Sequence, residues 1–452
     1  MSTHAGVSVG IDIGTTTIKA LAAASDGGQL AVARRATPWR DEAGSRVLRA
    51  DDLGVVLHDL LTELAAALPG VRAEAIGFTG LAEAGYPLDA TGAPLAPAFA
   101  WFDPNGKDQA SRVRAEAGPE YPGVTGLPVS DRWSLPKLAW LTGERGLRPV
   151  TWLSLPEWAA VWAGGRPVAE LSLATRTGML DVAGRRWWDR AVAWAGLPAA
   201  GLPELVTAGT PTGRAHAALP FAAGATITVA GHDHVTAMVG AGALGPGDAF
   251  SSYGTGEAVL RTTEPARDPG DLAAVVAAGA TRGPHVIAGA DYLMAALGSG
   301  RLQSAILDDR LGRDRTPAAV TALGEAAART APAAGSEPAD AATPIDPAAL
   351  TARLTAFDDG RAWATVVDLT ARRCADALRL LGPYAPDQKR LITAGGWYGS
   401  AYIRAVRARV LGDHLIPAST EAGARGAARL AALAAGMITD LGDWPDDWRD
   451  HS

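Results

Sequence analysis

The sequence predicts an α/β protein of two domains with similar cores and a cleft between them. Three observations carry that prediction. The chain opens with short β-rich segments, followed by one long amphipathic segment and another apolar run. The same pattern partly restarts near residue 248. Finally, 452 residues exceed what one ordinary core accommodates.

Taken in order, residues 7–14 are a β-rich run ending in glycine, and residues 15–22 read as a second strand. Asp26-Gly27-Gly28 supplies a turn before a third strand over 30–33. This is an antiparallel meander rather than the strand-loop-helix that opens a dinucleotide fold. Residues 51–68 predict a helix: Leu53, Val56, Leu57, Leu60, Leu61, Leu64 and Leu68 form one apolar stripe, and Asp51 or Asp52 is placed to cap it. Residues 75–80 then read as a buried strand. A meander followed by helix and strand is the opening of a ribonuclease-H-like core of the actin-like ATPase kind. Residues 248–256 and 258–262 repeat its strand-turn-strand start, so the boundary is expected at 244/245. Residues 1–244 would hold substrate and phosphate, and residues 245–452 the nucleotide, with an acidic tail from Asp440 that carries Trp444 and Trp448. The Ala/Pro-rich span 330–347 is expected to be a surface connection.

Lys and Arg total 41 against 48 Asp and Glu, a formal charge of −7. That balance speaks against a broad nucleic-acid or anionic-membrane surface, though a local backbone site can still hold a nucleotide. Apolar stretches are interrupted before they reach bilayer length, and no basic segment followed by an apolar run opens the chain, so a cytoplasmic location is expected. The lone Cys374 excludes an intramolecular disulfide and reads as a buried helical thiol. A small-molecule partner is expected, and a symmetric homodimer on base rates.

The chemistry should sit in the punctuated loops. Asp12-Ile13-Gly14-Thr15-Thr16-Thr17 places a carboxylate at a strand end beside backbone donors and hydroxyls. Glycine lets a triphosphate approach such a turn closely. A carboxylate would repel phosphate unless Mg²⁺ lay between, so Asp12 reads as a metal partner. Lys19 either adds charge near the phosphates or is an exposed strand lysine. Gly254, Thr255 and Gly256 form a second glycine-bracketed hydroxyl, able to close on a triphosphate from the other side. Gly395 and Gly396 follow an apolar strand and allow a flat base to lie on the backbone, with Ser400, also expected to contact the nucleotide, beginning a helix. Gly231-His232-Asp233-His234 follows another strand. Asp233 there either takes a proton from an attacking hydroxyl or caps the next helix. Two histidines in His-x-His spacing do not alone make a metal site. Glu83 and Asp103 follow apolar strands and suit a polyhydroxylated ligand, since a carboxylate accepts from adjacent hydroxyls. Trp101, Trp133 or Trp152 can stack on a sugar face, although with 14 tryptophans in the chain core packing competes for each.

These segments, collinear over about residues 7–437, resemble the FGGY carbohydrate kinase family, which includes xylulokinase, glycerol kinase and fuculokinase. Residues 10–16 resemble its first phosphate motif, 231–233 the segment with its catalytic aspartate, and 254–256 its second phosphate motif. Gly395-Gly396 and residues 421–428 resemble the adenosine region and the helix behind it. The resemblance implies ribonuclease-H-like folding in both domains and phosphoryl transfer from ATP, with Mg²⁺, to a hydroxyl of a sugar, ketose or polyol. A xylulose- or fuculose-like acceptor is the leading expectation. Asp233 would be general base and would touch both substrate and metal, with Asp12 as the other metal partner. Glu83, Asp103 and Trp101 would contact the substrate. Three departures bear on specificity. Thr79-Gly80-Leu81-Ala82 stands where xylulokinase-like members have Gln-Met-His-Gly, Asn105 where an arginine is frequent, and Trp397-Tyr398-Gly399 where small residues and a lysine usually follow. The alternative, a binding protein of the same fold without catalysis, usually carries a DNA-binding segment before the first strand. A chaperone-type actin-like ATPase is a third possibility, against which Glu83 and Asp103 argue.

Overall fold

The computed structural model describes residues 6–254, 256–312, 314–333, 340–445 and 448. The opening meander is β1 (Val7–Ile13), β2 (Thr17–Ala24) and β3 (Gln29–Ala36), all antiparallel. After helix α1 (Ala50–Ala67) the chain returns as β4 (Ala75–Gly80), parallel to β1. Two later strands, β5 (Pro211–Arg214) and β6 (Thr226–His232), complete a six-stranded sheet in the order β5-β6-β4-β1-β2-β3. Val7, Val9, Ile11 and Ile13 alternate along β1 into one core, with Leu53, Leu57, Leu60, Leu61 and Leu64 of α1 packed into it. Asp51 and Asp52 do not cap α1. Arg49 occupies the cap position, and the two acids lie in the first turn, where they face the positive end of the helix dipole.

Two short helices, α2 (Ser134–Gly143) and α3 (Leu171–Arg176), lie in the long excursion between β4 and β5. Helix α4 (Asp233–Gly240) follows β6 directly.

The second sheet begins with β7 (Asp248–Tyr253) and β8 (Glu257–Thr263). With β9 (Thr281–Pro284), β10 (Asp291–Ala296) and β11 (Arg390–Ala394) it runs β9-β10-β8-β7-β11. Strand β11 is parallel to β7, and the other pairs are antiparallel. Each sheet therefore has the same heart: a first strand flanked by its antiparallel hairpin partner and by a parallel strand that returns after a helix. That is the internal repetition read from the sequence. Helices α5 (Ser299–Leu311), α6 (Asp359–Leu381) and α7 (Ala401–Leu411) accompany this half, with Trp363 and Cys374 of α6 fully buried.

The last helix, α8 (Ala422–Ala434), packs on the first sheet and along α4. It does so with almost no spacing: a Cβ on Gly10 of β1 would fall 1.9 Å from the Ala424 carbonyl oxygen. Although α8 lies in the expected second domain, it is a wall of the first sheet, so it does not simply back the adenosine loop. The tail beyond it docks as well. Trp444 is buried, and its Nε1 donates to the Ser25 carbonyl at 3.0 Å. Part of the expected connection 330–347 and of the tail lies outside the described residues. Among the described residues, no helix is long and apolar enough to cross a membrane.

Candidate active site

Three parallel strands of the first sheet end together. Register pairs Ile13 with Gly80, and Gly80 with His232, so Asp12, the 80–83 turn and Asp233 emerge at one edge. The carboxyl ends of parallel strands are where α/β sheets present ligand-binding loops. In the second sheet Ser252 pairs with Ala394, which brings the turn after β7 beside Gly395.

Asp12 lies within the field of the Asp233 carboxylate. Burial, and next the Asp233 carboxylate, push the Asp12 carboxyl up to about 7, with Lys19 opposing and Glu421 adding to the rise. Asp12 Oδ1 is shut away from solvent with no hydrogen-bond partner among the described residues. A Cβ on Gly423, at the start of α8, would lie 2.4 Å from Asp12 Oδ2, so only glycine leaves the carboxylate its place. An orphaned carboxylate oxygen beside a second carboxylate fits a hard divalent cation, which binds through one or two carboxylates and keeps several waters. Among the described residues no cluster of three or more His, Cys, Asp or Glu makes a fuller metal cage.

Asp233 is the first residue of α4 rather than its cap, a position His232 takes. Both protein donors fall on one oxygen: His232 Nε2 lies 3.1 Å from Asp233 Oδ1, and the His234 amide donates to it at 2.6 Å. Among the described residues Oδ2 takes no such donor. Burial holds His232 down at about 3, so it stays neutral and its Nε2–H orients Asp233. The His232 amide in turn donates to Ser172 Oγ at 2.9 Å, which ties the turn to α3.

The loop at residues 14–17, expected to hold phosphate, is fixed by its carbonyls. Thr37 Oγ1 donates to Gly14 O and Trp39 Nε1 to Thr15 O, both at 2.7 Å. Gly14, Thr15 and Thr17 are half-buried and the Thr16 side chain is exposed. Lys19 is not left for phosphate, because its ammonium meets Glu421 at 2.8 Å. In the second loop Gly254 and Gly256 are described, whereas Thr255 lies outside the described residues. Beneath it Arg407 and Glu257 form a fully buried ion pair at 2.7 Å, with the Arg407 guanidinium 3.7 Å from the Tyr253 ring centroid. Trp397 Nε1 donates to the Gly254 carbonyl at 2.9 Å, joining the Gly395-Gly396 loop to the turn after β7. Ser400 corrects an expectation: its oxygen accepts the Ile403 amide at 3.4 Å, so it caps α7 and is committed to the helix rather than to a base.

Glu83 is buried and paired with Arg176 of α3, Nη2 to Oε1 at 2.7 Å, while that guanidinium stacks 4.5 Å over the Trp133 ring. Asp103 is also buried, but both of its oxygens are occupied: Oδ2 accepts the Arg46 amide, and Oδ1 accepts the amide and side chain of Asn105. Asp103 thus shapes the loop instead of offering free oxygens to a substrate. Trp101 is half-buried, its Nε1 donating to Thr15 Oγ1 at 3.3 Å, which sets it against the loop at residues 14–17. Trp133 and Trp152 are core residues, about 5% and 6% exposed respectively.

Sequence reasoning missed Arg176, Lys137 and the role of Trp397. Lys137 Nζ donates to three carbonyls, those of Asp131 at 2.7 Å, Trp101 at 3.2 Å and Arg132 at 3.3 Å. No local motif marks these residues, since each finds its partners through the fold.

Comparison with known proteins finds likeness to carbohydrate kinases. The model of the FGGY family of carbohydrate kinases, N-terminal domain, matches residues 7–240. A glycerol kinase of Rhizorhabdus wittichii is 29% identical over 406 residues, 83% of this chain and 77% of its own. The gluconokinase of Bacillus subtilis is 25% identical over 203 residues, covering 44% of this chain and 42% of its own. Among solved structures, a xylulose kinase from Rhodospirillum rubrum superposes with a TM-score of 0.81 at 22% identity, covering 97% of this chain and 91% of that one. Plasmodium falciparum glycerol kinase with ADP does so at 0.77 and 17%, covering 96% and 91%.

Proposed function

We propose, on the premise that this chain belongs to the FGGY family of carbohydrate kinases and is an ATP-dependent sugar kinase, that it transfers the γ-phosphoryl group to a hydroxyl of a small polyhydroxylated acceptor with Asp233 as general base. The observation that carries this reading is Asp233 itself: a carboxylate at a sheet edge, with one oxygen held by His232 and the His234 amide and the other left open, beside Asp12.

Asp233 Oδ2 takes the acceptor proton as the oxygen attacks phosphorus in line. His232 keeps the carboxylate oriented and stays neutral. Glu83, held by Arg176, accepts from an acceptor hydroxyl and fixes which one faces Asp233. The backbone of residues 14–17 and of Gly254 and Gly256 cradles the phosphates, and the Gly395-Gly396 loop carries the base. When bound, Mg²⁺ would be held by Asp12 and Asp233 and would neutralise phosphate charge. Residues 1–244 serve acceptor and phosphate, and residues 245–452 the nucleotide, with α8 returning to brace Asp12. Closure of the two halves keeps water from the phosphoryl group.

The test is Asp233→Asn, which keeps the shape and removes the base. kcat should fall about 10²–10⁴-fold with little change in the KM for ATP. Full-rate phosphorylation by this variant would reject the assignment.

A further inference from the structure

We propose that the acceptor is an acid, a polyhydroxy carboxylate of the aldonate class, and that Arg132 and Arg301 receive its carboxylate beside Trp101. The inference rests on the acceptor site being the one assigned above, and names the kind of molecule it takes.

The guanidinium carbons of Arg132 and Arg301 lie 5.6 and 4.8 Å from the centroid of the same Trp101 ring. Both side chains belong to exposed residues, and among the described residues neither meets a carboxylate within ion-pair distance. Two like charges gathered on one indole repel, and an anion between them relieves that cost. Partial burial, then the Arg132 charge, lowers the Arg301 pKa, so Arg301 lies within the field of Arg132.

The position is an acceptor position. Arg132 stands between Asp131, whose carbonyl binds Lys137, and Trp133, which lies under Arg176, the partner of Glu83. Ser134 Oγ donates to the Glu83 carbonyl at 3.3 Å, binding this loop to the turn after β4. Lys137 ties Trp101 and Arg132 together by their carbonyls, so the stack is preorganised. The nearby acids are already engaged: Glu83 with Arg176, Asp103 with the amides of Arg46 and Asn105, and Asp131 and Asp103 with the field of Lys137. Guanidinium matches carboxylate with two parallel hydrogen bonds, which a neutral hydroxyl cannot reproduce. Arg301 comes from α5 of the second half, so an anionic acceptor would also draw the halves together. This reading displaces the xylulose- or fuculose-like acceptor expected from sequence.

The experiment measures steady-state constants with gluconate, xylulose and glycerol as acceptors, for the native chain, Arg132→Gln and Arg132→Lys. Gluconate should give the highest kcat/KM. Arg132→Gln should raise its KM about tenfold or more, the KM for ATP should stay within about twofold, and Arg132→Lys should recover part of the loss. A thermal melt of each variant separates binding from folding. Preference for a neutral acceptor, or a rise in the KM for ATP in place of that for gluconate, would overturn the proposal while leaving the kinase assignment intact. ATP use driven by none of the acceptors would overturn both.

Discussion

The placement of Asp233 and Asp12 at strand ends was legible in the sequence because each sits in a short run whose neighbours explain it: a strand, a glycine, and hydroxyls or histidines. Arg176 was not, because its partner Glu83 is 93 residues away and nothing around it is unusual as sequence. Asp103 shows the opposite failure. A carboxylate after an apolar strand looked free for a sugar, yet its oxygens serve the chain's own amides. Lys137 gives a prediction at this scale. Burial brings it down to about 8 from the usual 10.5, against the pull of Glu83, Asp131 and Asp103. Between those pH values the unfolded chain holds more protons than the folded one, so folding stability contributed at this site rises with pH and is lost as pH falls through 8. Chemical denaturation from pH 8 to 10 should show the native chain gaining stability relative to Lys137→Met, by about 3 kcal/mol if the whole range to 10.5 were spanned. Parallel pH profiles would refute the shift.

At the scale of elements, strands were read well and their partners less so. β4 and β11 fall where alternation and apolar runs predicted them, because buried strands carry their signal locally. The crossing of α8 to the first sheet depends on close backbone approach at Gly10 and Gly77, and small residues in an alanine-rich chain do not advertise a particular neighbour. The loop after β11 departs from the family's usual small residues, and the indole of Trp397 explains what it gained: a hydrogen bond to Gly254 that couples the two loops proposed to hold the nucleotide. Trp397→Phe keeps most of the packing and removes the donor. Losing a bond worth about 1 kcal/mol should raise the KM for ATP about fivefold, measured at saturating acceptor, with a smaller effect on the KM for acceptor. An unchanged KM for ATP would show that the loops are positioned independently.

At the scale of the whole molecule, the repeated strand-turn start foretold two related halves, and the paired sheets have that form. The cleft was legible only as an arrangement of loops, because its walls are made by residues from both halves and by a last helix that returns to the first. Arg301 meeting Trp101, and Glu421 meeting Lys19 and Arg34, are contacts no linear reading could order. The central claim is that this cleft moves a phosphoryl group to an acceptor hydroxyl. It is tested most directly by supplying ATP labelled at the γ-phosphorus, with and without gluconate, xylulose or glycerol, and following where the label goes. The account predicts label on an acceptor hydroxyl, ADP released only when acceptor is present, and loss of both in Asp233→Asn. Label appearing as inorganic phosphate at the same rate without any acceptor would contradict it.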